Sequence, residues 1–311
     1  MQESIARRTV DELVTLYELE PEVRDIFVEG RSDRNFLSVH LTTQGESVMY
    51  KTYAISDRVH IPDGELIAAG ISVGERGRII WLARQLAARL PGHSSVALVA
   101  DKDFASLHAD ANEEIHGLVY TDYSSMEAYA FNERTLNKLL RVPLGAPDYV
   151  TAPVILTALR PALVALFIIR LCLRGSGTGV KIPPKTLGKW DLDDQSQDKI
   201  LEVFRAALQT IPASERNGQT PGELYARYIE YRDIVDSEYR DYINGHDISL
   251  LLVRFLKTEC GNVFNSDARR PLQNPEVLET VLMACVDTVD LNGERLFEVL
   301  REWIQAGVWG K

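Results

Sequence analysis

The chain is poor in cysteine, and its few cysteines are scattered. Cys172, Cys260 and Cys285 are the only three in 311 residues. No CxxC pair or Cys/His cluster occurs, so neither a zinc site nor a disulfide framework is indicated. An odd number of thiols fits a reducing, cytoplasmic setting. The opening residues, MQESIARRTVDELVTLYEL, contain no continuous apolar stretch, so no secretory signal is expected there. A nucleotide-binding P-loop is also missing. RGSGTGVK, at 174–181, lacks the G-x-x-x-x-G-K-[ST] spacing and follows a helical pattern, and it reads as a flexible loop. Any dependence on ATP must therefore come from a partner. No nucleophile triad stands out.

One window lacks acid altogether. Residues 149–190 hold no Asp or Glu but carry Arg160, Arg170, Arg174, Lys181, Lys185 and Lys189, a local charge of +6. The whole chain is −11, so the remainder is −17. The acidic total argues against a polyanionic partner, yet clustered cations are what an anion-binding surface needs. Arg174, Lys181, Lys185 and Lys189 are the expected nucleic-acid contacts; docking on an acidic protein face is the alternative. Within the same window, VILTALRPALVALFIIRLCL (154–173) is mostly apolar, but it holds Arg160, Pro161 and Arg170. A charge near a bilayer centre costs about 2.5–3.5 kcal/mol on insertion scales, so a buried helix is expected instead, with Pro161 suited to its first position.

What is present is ordinary globular composition, 45% hydrophobic and 25% charged, with material for about two domains. The first half alternates. Helical patterns fall at 3–18, from Ser32 or Asp33 as cap to about 40, and at 73–90; strand-like runs fall at 23–29, 47–55, 94–101 and 117–122. This predicts an α/β fold with a mainly parallel sheet flanked by helices. Helical patterns dominate afterwards, at about 152–173, 195–210, 221–242, 247–259, 275–288 and 293–306, with Asp247 as one cap and Asn274–Pro275 as another helix start. The Pro143–Gly145–Pro147 stretch suggests a boundary: residues 1–145 as an α/β catalytic domain with an N-terminal helix, and 146–311 as an α-helical domain that binds nucleic acid or a partner.

Two of the strand-like runs that end in a carboxylate supply the candidate site. DIFVEG places Glu29 at the tip of one, and ALVADKD places Asp101 and Asp103 at the tip of another. Ligands of open parallel sheets bind at the carboxyl ends of the strands. In extended backbone Asp101 and Asp103 would share a face, with Lys102 turned away. Such carboxylates repel one another unless a cation joins them, and oxygen-only ligands suit Mg2+ or Mn2+. Glu127, in TDYSSMEAYAF, is a further candidate ligand, or else a helix N-terminal carboxylate behind a Ser124 or Ser125 cap. Glu29 reads as a metal ligand or proton-transfer group rather than a turn residue, and Asp101 and Asp103 as metal ligands rather than solvated loop. Asp33 reads as a cap before a ligand. Lys102 can reach a substrate phosphate, neutralise the carboxylates or face solvent. His246, in NGHD, has either a catalytic role or a place in a capping turn.

VEGRSD followed some 70 residues later by an apolar strand and DKD resembles the TOPRIM domain of bacterial primases, topoisomerases, ribosomal RNA maturases and OLD-type nucleases. Glu29, Asp101 and Asp103 fall on its strand-terminal Glu and its D-x-D. Primases usually carry glycine between the aspartates; Lys102 stands there in this chain, which looks more like the OLD-type nucleases. Adding YSSMEAYAF and INGHDISLLL, the chain resembles bacterial TOPRIM proteins with a helical C-terminal region, among them the effector nucleases of PARIS anti-phage systems. That resemblance implies a metal-dependent nuclease held by an AAA/ABC-type ATPase until phage infection. Once freed, it would form a homodimer and cut host tRNA. The alternatives are a non-catalytic TOPRIM-like subunit of an ATPase complex and a nuclease that matures structured RNA.

Overall fold

A computed structural model describes residues 7–41, 49–92, 95–107, 112–176, 180–189, 194–212, 217–306 and 309. The chain divides into two compact units, one made of 1–102, 110–122 and 287–311, the other of 103–109 and 123–286. The Pro143–Pro147 stretch lies inside the second unit, and the chain returns to the first at its end.

The first unit is α/β. It contains α1 (Val10–Leu19), β1 (Arg24–Val28), α2 (Arg31–His40), β2 (Tyr50–Ala54), α3 (Ile55–Arg58), α4 (Asp63–Ala68), α5 (Glu75–Arg89), β3 (Val96–Ala100) and β4 (Leu118–Tyr120). The strands form an all-parallel sheet in the order β2-β1-β3-β4. β3 is buried along its whole length, as expected of a central parallel strand covered on both faces. Phe27, Val96 and Leu98 share one core with Leu13, Tyr17, Ile79, Leu82 and Leu86 from α1 and α5. The first helix begins at Val10 rather than near residue 3, because Thr9 and Glu12 form a reciprocal capping box there; residues 3–6 lie outside the described ones.

The second unit is helical. It comprises α6 (Glu133–Arg141), α7 (Ala152–Leu173), α8 (Pro184–Lys189), α9 (Gln197–Gln209), α10 (Pro221–Arg232), α11 (Gly245–Glu259) and α12 (Pro275–Ala284). α7 is the central element, packed by α6, α9, α10 and α11. It is long and apolar enough to cross a membrane by length and composition, yet Leu159, Leu163, Leu166, Ile168 and Ile169 are fully enclosed by protein. Pro161 does not start this helix. It sits in the interior, where its missing N–H costs one helix bond, while Pro153 takes the favoured place in the first turn. The pattern read as one helix over 221–242 breaks at Arg232: Ile234 and Val235 are β-branched, Asp236 and Ser237 favour turns, and a separate 3-10 helix covers Tyr239–Tyr242. Asp247 does not cap α11. Asn244 occupies that position, and Asp247, 1% exposed, makes a two-pronged ion pair with Arg170 of α7, at 2.6 and 2.8 Å. The chain ends with α13 (Arg295–Ala306), in the first unit, where Phe297 meets Phe36 of α2 edge to face.

Stability tests follow from two buried charges, Asp25 and Asp247. Asp25 of β1 is 3% exposed and accepts a 2.9 Å hydrogen bond from the Tyr17 hydroxyl. Tyr17→Phe should destabilise the first unit by about 1.5–3 kcal/mol, the range for a bond to a charged group, in chemical denaturation. Burial raises the Asp25 pKa above the ordinary carboxylate range, against the lowering effect of the Tyr17 bond and of Arg58, Lys51 and Arg8. The folded state therefore holds this proton more tightly than the unfolded chain. Asp25 adds stability at low pH and loses that contribution as pH rises through its folded value. The stability of Asp25→Asn relative to wild type should accordingly increase with pH across that window. In the second unit, Asp247→Ala should cost about 3–5 kcal/mol by stranding the Arg170 charge, whereas an apolar replacement of both partners should cost far less.

Candidate metal and active site

The candidate site begins with two adjacent strand ends. β1 and β3 run parallel with Phe27 opposite Leu98, so Glu29 and Asp101 leave the sheet side by side. The backbone N–H of Asp101 donates to Oε1 of Glu29 at 2.9 Å, 72 residues apart in sequence. Both residues are half-buried. The next strand end joins them: Thr121 N–H donates to the Ala100 carbonyl at 3.1 Å, and Lys102 N–H donates to Thr121 Oγ1 at 2.9 Å. Nζ of Lys102 turns to the Asp122 carbonyl at 3.2 Å, and the Asp122 carboxylate accepts from Leu296 N–H in the first turn of α13 at 3.1 Å. Arg76, near the start of α5, donates from Nε to the Asp101 carbonyl at 3.1 Å and lies against the Tyr120 ring. The edge thus gathers Glu29 and Asp101 with two cations, Arg76 and Lys102, that are anchored to its backbone carbonyls.

α2 starts immediately after Glu29. Gly30 is its N-cap, and Asp33 accepts the Gly30 N–H at 2.8 Å. The helix therefore starts ahead of the expected Ser32 or Asp33 cap: Asp33 stands at its third position and bonds back to the N-cap backbone. That bond also fixes the chain direction just beyond Glu29.

Asp103 departs from the extended geometry expected of D-x-D. It has φ +55°, the left-handed region that Asp tolerates better than most residues, so alternation of faces does not apply there. It belongs to the second unit, where its N–H donates to the Ser124 carbonyl at 2.8 Å. Ser124 Oγ in turn donates to the carbonyls of Arg240, at 2.9 Å, and Ile243.

Glu127, also in the second unit, lies in a 3-10 helix, Met126–Ala130, and is 8% exposed. Ser125 holds the N-cap position but makes no side-chain capping bond. A Cβ added at Gly245, the first residue of α11, would overlap Oε2 of Glu127 and lie 2.8 Å from Ser125 Oγ. Only glycine lets the acid come so close. Ligand atoms of Glu127, His246 and Glu279 all fall within 4.8 Å of one another, a group that could hold a metal ion. His246 Nδ1 is 3.3 Å from Oε2 of Glu279, which also accepts from Ser249 Oγ at 3.3 Å. The Glu279 bond raises the His246 pKa to about 9; Glu127, Glu279 and Asp247 add to the rise and desolvation opposes it.

Of the residues expected from sequence, Glu29, Asp101 and Lys102 are gathered at one sheet edge. Glu127 and His246 come together in the second unit, with Glu279, which the sequence reading missed. Its signal was there: Glu279 lies one turn before Leu282 and Met283, on the buried stripe of α12. In the basic window, Arg174, Lys181 and Lys185 are exposed, whereas Arg170 is spent on Asp247. Part of RGSGTGVK, residues 177–179, and the Lys189 side chain lie outside the described residues. Cys172 is no nucleophile, since burial pushes its thiol to about 12.

No family model matches the chain, and no curated protein matches it.

If Asp33 acts as a cap, Asp33→Ala should lower stability by about 0.5–2 kcal/mol in denaturation and leave metal affinity unchanged. A large loss of metal affinity at unchanged stability would make it a ligand instead.

Proposed function

We propose that this chain is a metal-dependent TOPRIM nuclease, a toxic anti-phage effector that cuts host tRNA once released from an AAA/ABC-type ATPase partner, and that it is cytoplasmic and homodimeric when active. The observation that carries the reading is the bond from Asp101 N–H to Glu29 Oε1, which sets two carboxylates at adjacent ends of parallel strands. The donors are oxygen only, which suits Mg2+ or Mn2+ held by Glu29 and Asp101. Such an ion would polarise a phosphoryl oxygen and activate water. Glu29, oriented through Oε1, would accept the proton of the attacking water. Lys102 and Arg76 carry the positive charge at this edge that a phosphodiester needs. Arg174, Lys181 and Lys185, exposed in the acid-free window, are the backbone contacts for RNA.

Expression of wild type beside Glu29→Ala and Asp101→Ala, with tRNA-end sequencing, tests this. The expected result is toxicity and tRNA breaks from wild type alone, with cleavage reduced roughly 10²–10⁴-fold in Glu29→Ala, the scale of lost acid–base catalysis. Equal toxicity of all three would leave the non-catalytic ATPase-complex subunit as the reading, and breaks confined to one structured precursor would favour RNA maturation. Replacing Arg174, Lys181 and Lys185 by Ala should weaken tRNA binding across sequences. Each lost phosphate contact should make the slope of log affinity against log salt shallower by about one.

A further inference from the structure

We infer that Glu127, His246 and Glu279 form a second metal centre, built wholly within the helical unit and selective for a divalent transition ion such as Mn2+ over Mg2+. Three elements converge to make it. The 3-10 helix supplies Glu127, the first turn of α11 supplies His246, and the buried stripe of α12 supplies Glu279. Their ligand atoms lie within 4.8 Å of one another, close enough for one ion to bridge all three after small side-chain shifts. Two carboxylates and one imidazole form a mixed oxygen and nitrogen set, which favours Mn2+ and later ions over Mg2+.

A second observation points to a ligand there. Ser125 Oγ is buried, in a residue only 8% exposed, and has no hydrogen-bond partner. It lies 2.8 Å from the place a Cβ would take at Gly245, the same point that Glu127 Oε2 occupies. Buried hydroxyls are nearly always satisfied, and an ion-bound water or the ion itself would satisfy this one. The bare Gly245 makes the room: any side chain there would overlap the Glu127 carboxylate. Asp247, next to His246, is paired with Arg170 and is not one of the ligands. The outermost ligand is His246, with its side chain 82% exposed, while the Glu279 side chain is 14% exposed, so an ion would enter from the His246 side.

This centre goes beyond the nuclease reading and can fail separately from it, because none of its ligands belongs to the Glu29–Asp101 edge. The test is Mn2+ titration followed by electron paramagnetic resonance of the purified full chain, with pulsed detection of nitrogen coupling. Wild type should bind Mn2+ with a nitrogen signal from one imidazole. His246→Gln, an exposed change, should lose that signal and lower Mn2+ affinity at this site at least about 10-fold; Glu279→Gln should lower affinity likewise. Asp101→Asn should keep the nitrogen signal even though RNA cleavage is lost. A wild type without nitrogen coupling, a signal undiminished in His246→Gln, or a signal lost in Asp101→Asn would each overturn the inference.

Discussion

Parallel strands that lie side by side must release their chains side by side, and the first unit depends on that constraint. β1 and β3 are centred in the sheet, apolar over their last residues, Ile26–Val28 and Val96–Ala100, and are followed by Glu29 and Asp101. A carboxylate at the mouth of an apolar strand needs hydrogen-bond donors. The backbone N–H of Asp101, which β3 no longer uses, supplies one. Other features assemble around this pair. Asp33 turns α2 away directly after Glu29, Arg76 of α5 reaches the Asp101 carbonyl, and Lys102 is held to the end of β4 through Thr121. Backbone groups take part in each of these bonds, and an acid or a metal ligand positioned beforehand in this way needs little reorganisation to act.

The second unit solves a different electrostatic problem. The N-terminus of α11 carries the partial positive charge of a 15-residue helix and is met by three carboxylates. Asp247 is matched by Arg170, which crosses from the mostly apolar α7. Glu279 is shared by His246 and Ser249, and Glu127 lies against the helix start at Gly245. Burying so much acid costs stability unless each group is paired. That cost explains why a mostly apolar helix keeps Arg170 on its packed side, and it shows that the local charge of the acid-free window overstates the cationic surface by at least one residue.

The parts of the fold legible in the sequence were those specified locally. The runs Ile26–Val28 and Val96–Ala100 announced buried strands through continuous apolar residues, and Glu29–Gly30 and Asp101 announced where they stop. Asn274–Pro275 marked the start of α12 correctly. The readings that failed were those set by distant contacts or by backbone geometry. The left-handed conformation of Asp103 has no signature in D-x-D. Pro161 looks like a helix start, but the packing around α7 carries the helix through it. Asp247 resembles a cap until Arg170, 77 residues away, claims it. The return of residues 287–311 to the first unit rests on contacts such as Phe297 with Phe36, which no local pattern encodes.

The central claim is that Glu29 and Asp101 form a hydrolytic metal site. The most direct measurement is cleavage of total tRNA by the purified chain, free of any ATPase, with Mg2+ and with chelator, for wild type and Glu29→Gln. Glu29→Gln keeps the shape of the side chain and an acceptor for the Asp101 N–H while removing the charge. The expected result is cleavage by wild type that stops with chelator and is absent from Glu29→Gln at unchanged thermal stability. Cleavage by both proteins, or cleavage indifferent to chelator, would contradict the account.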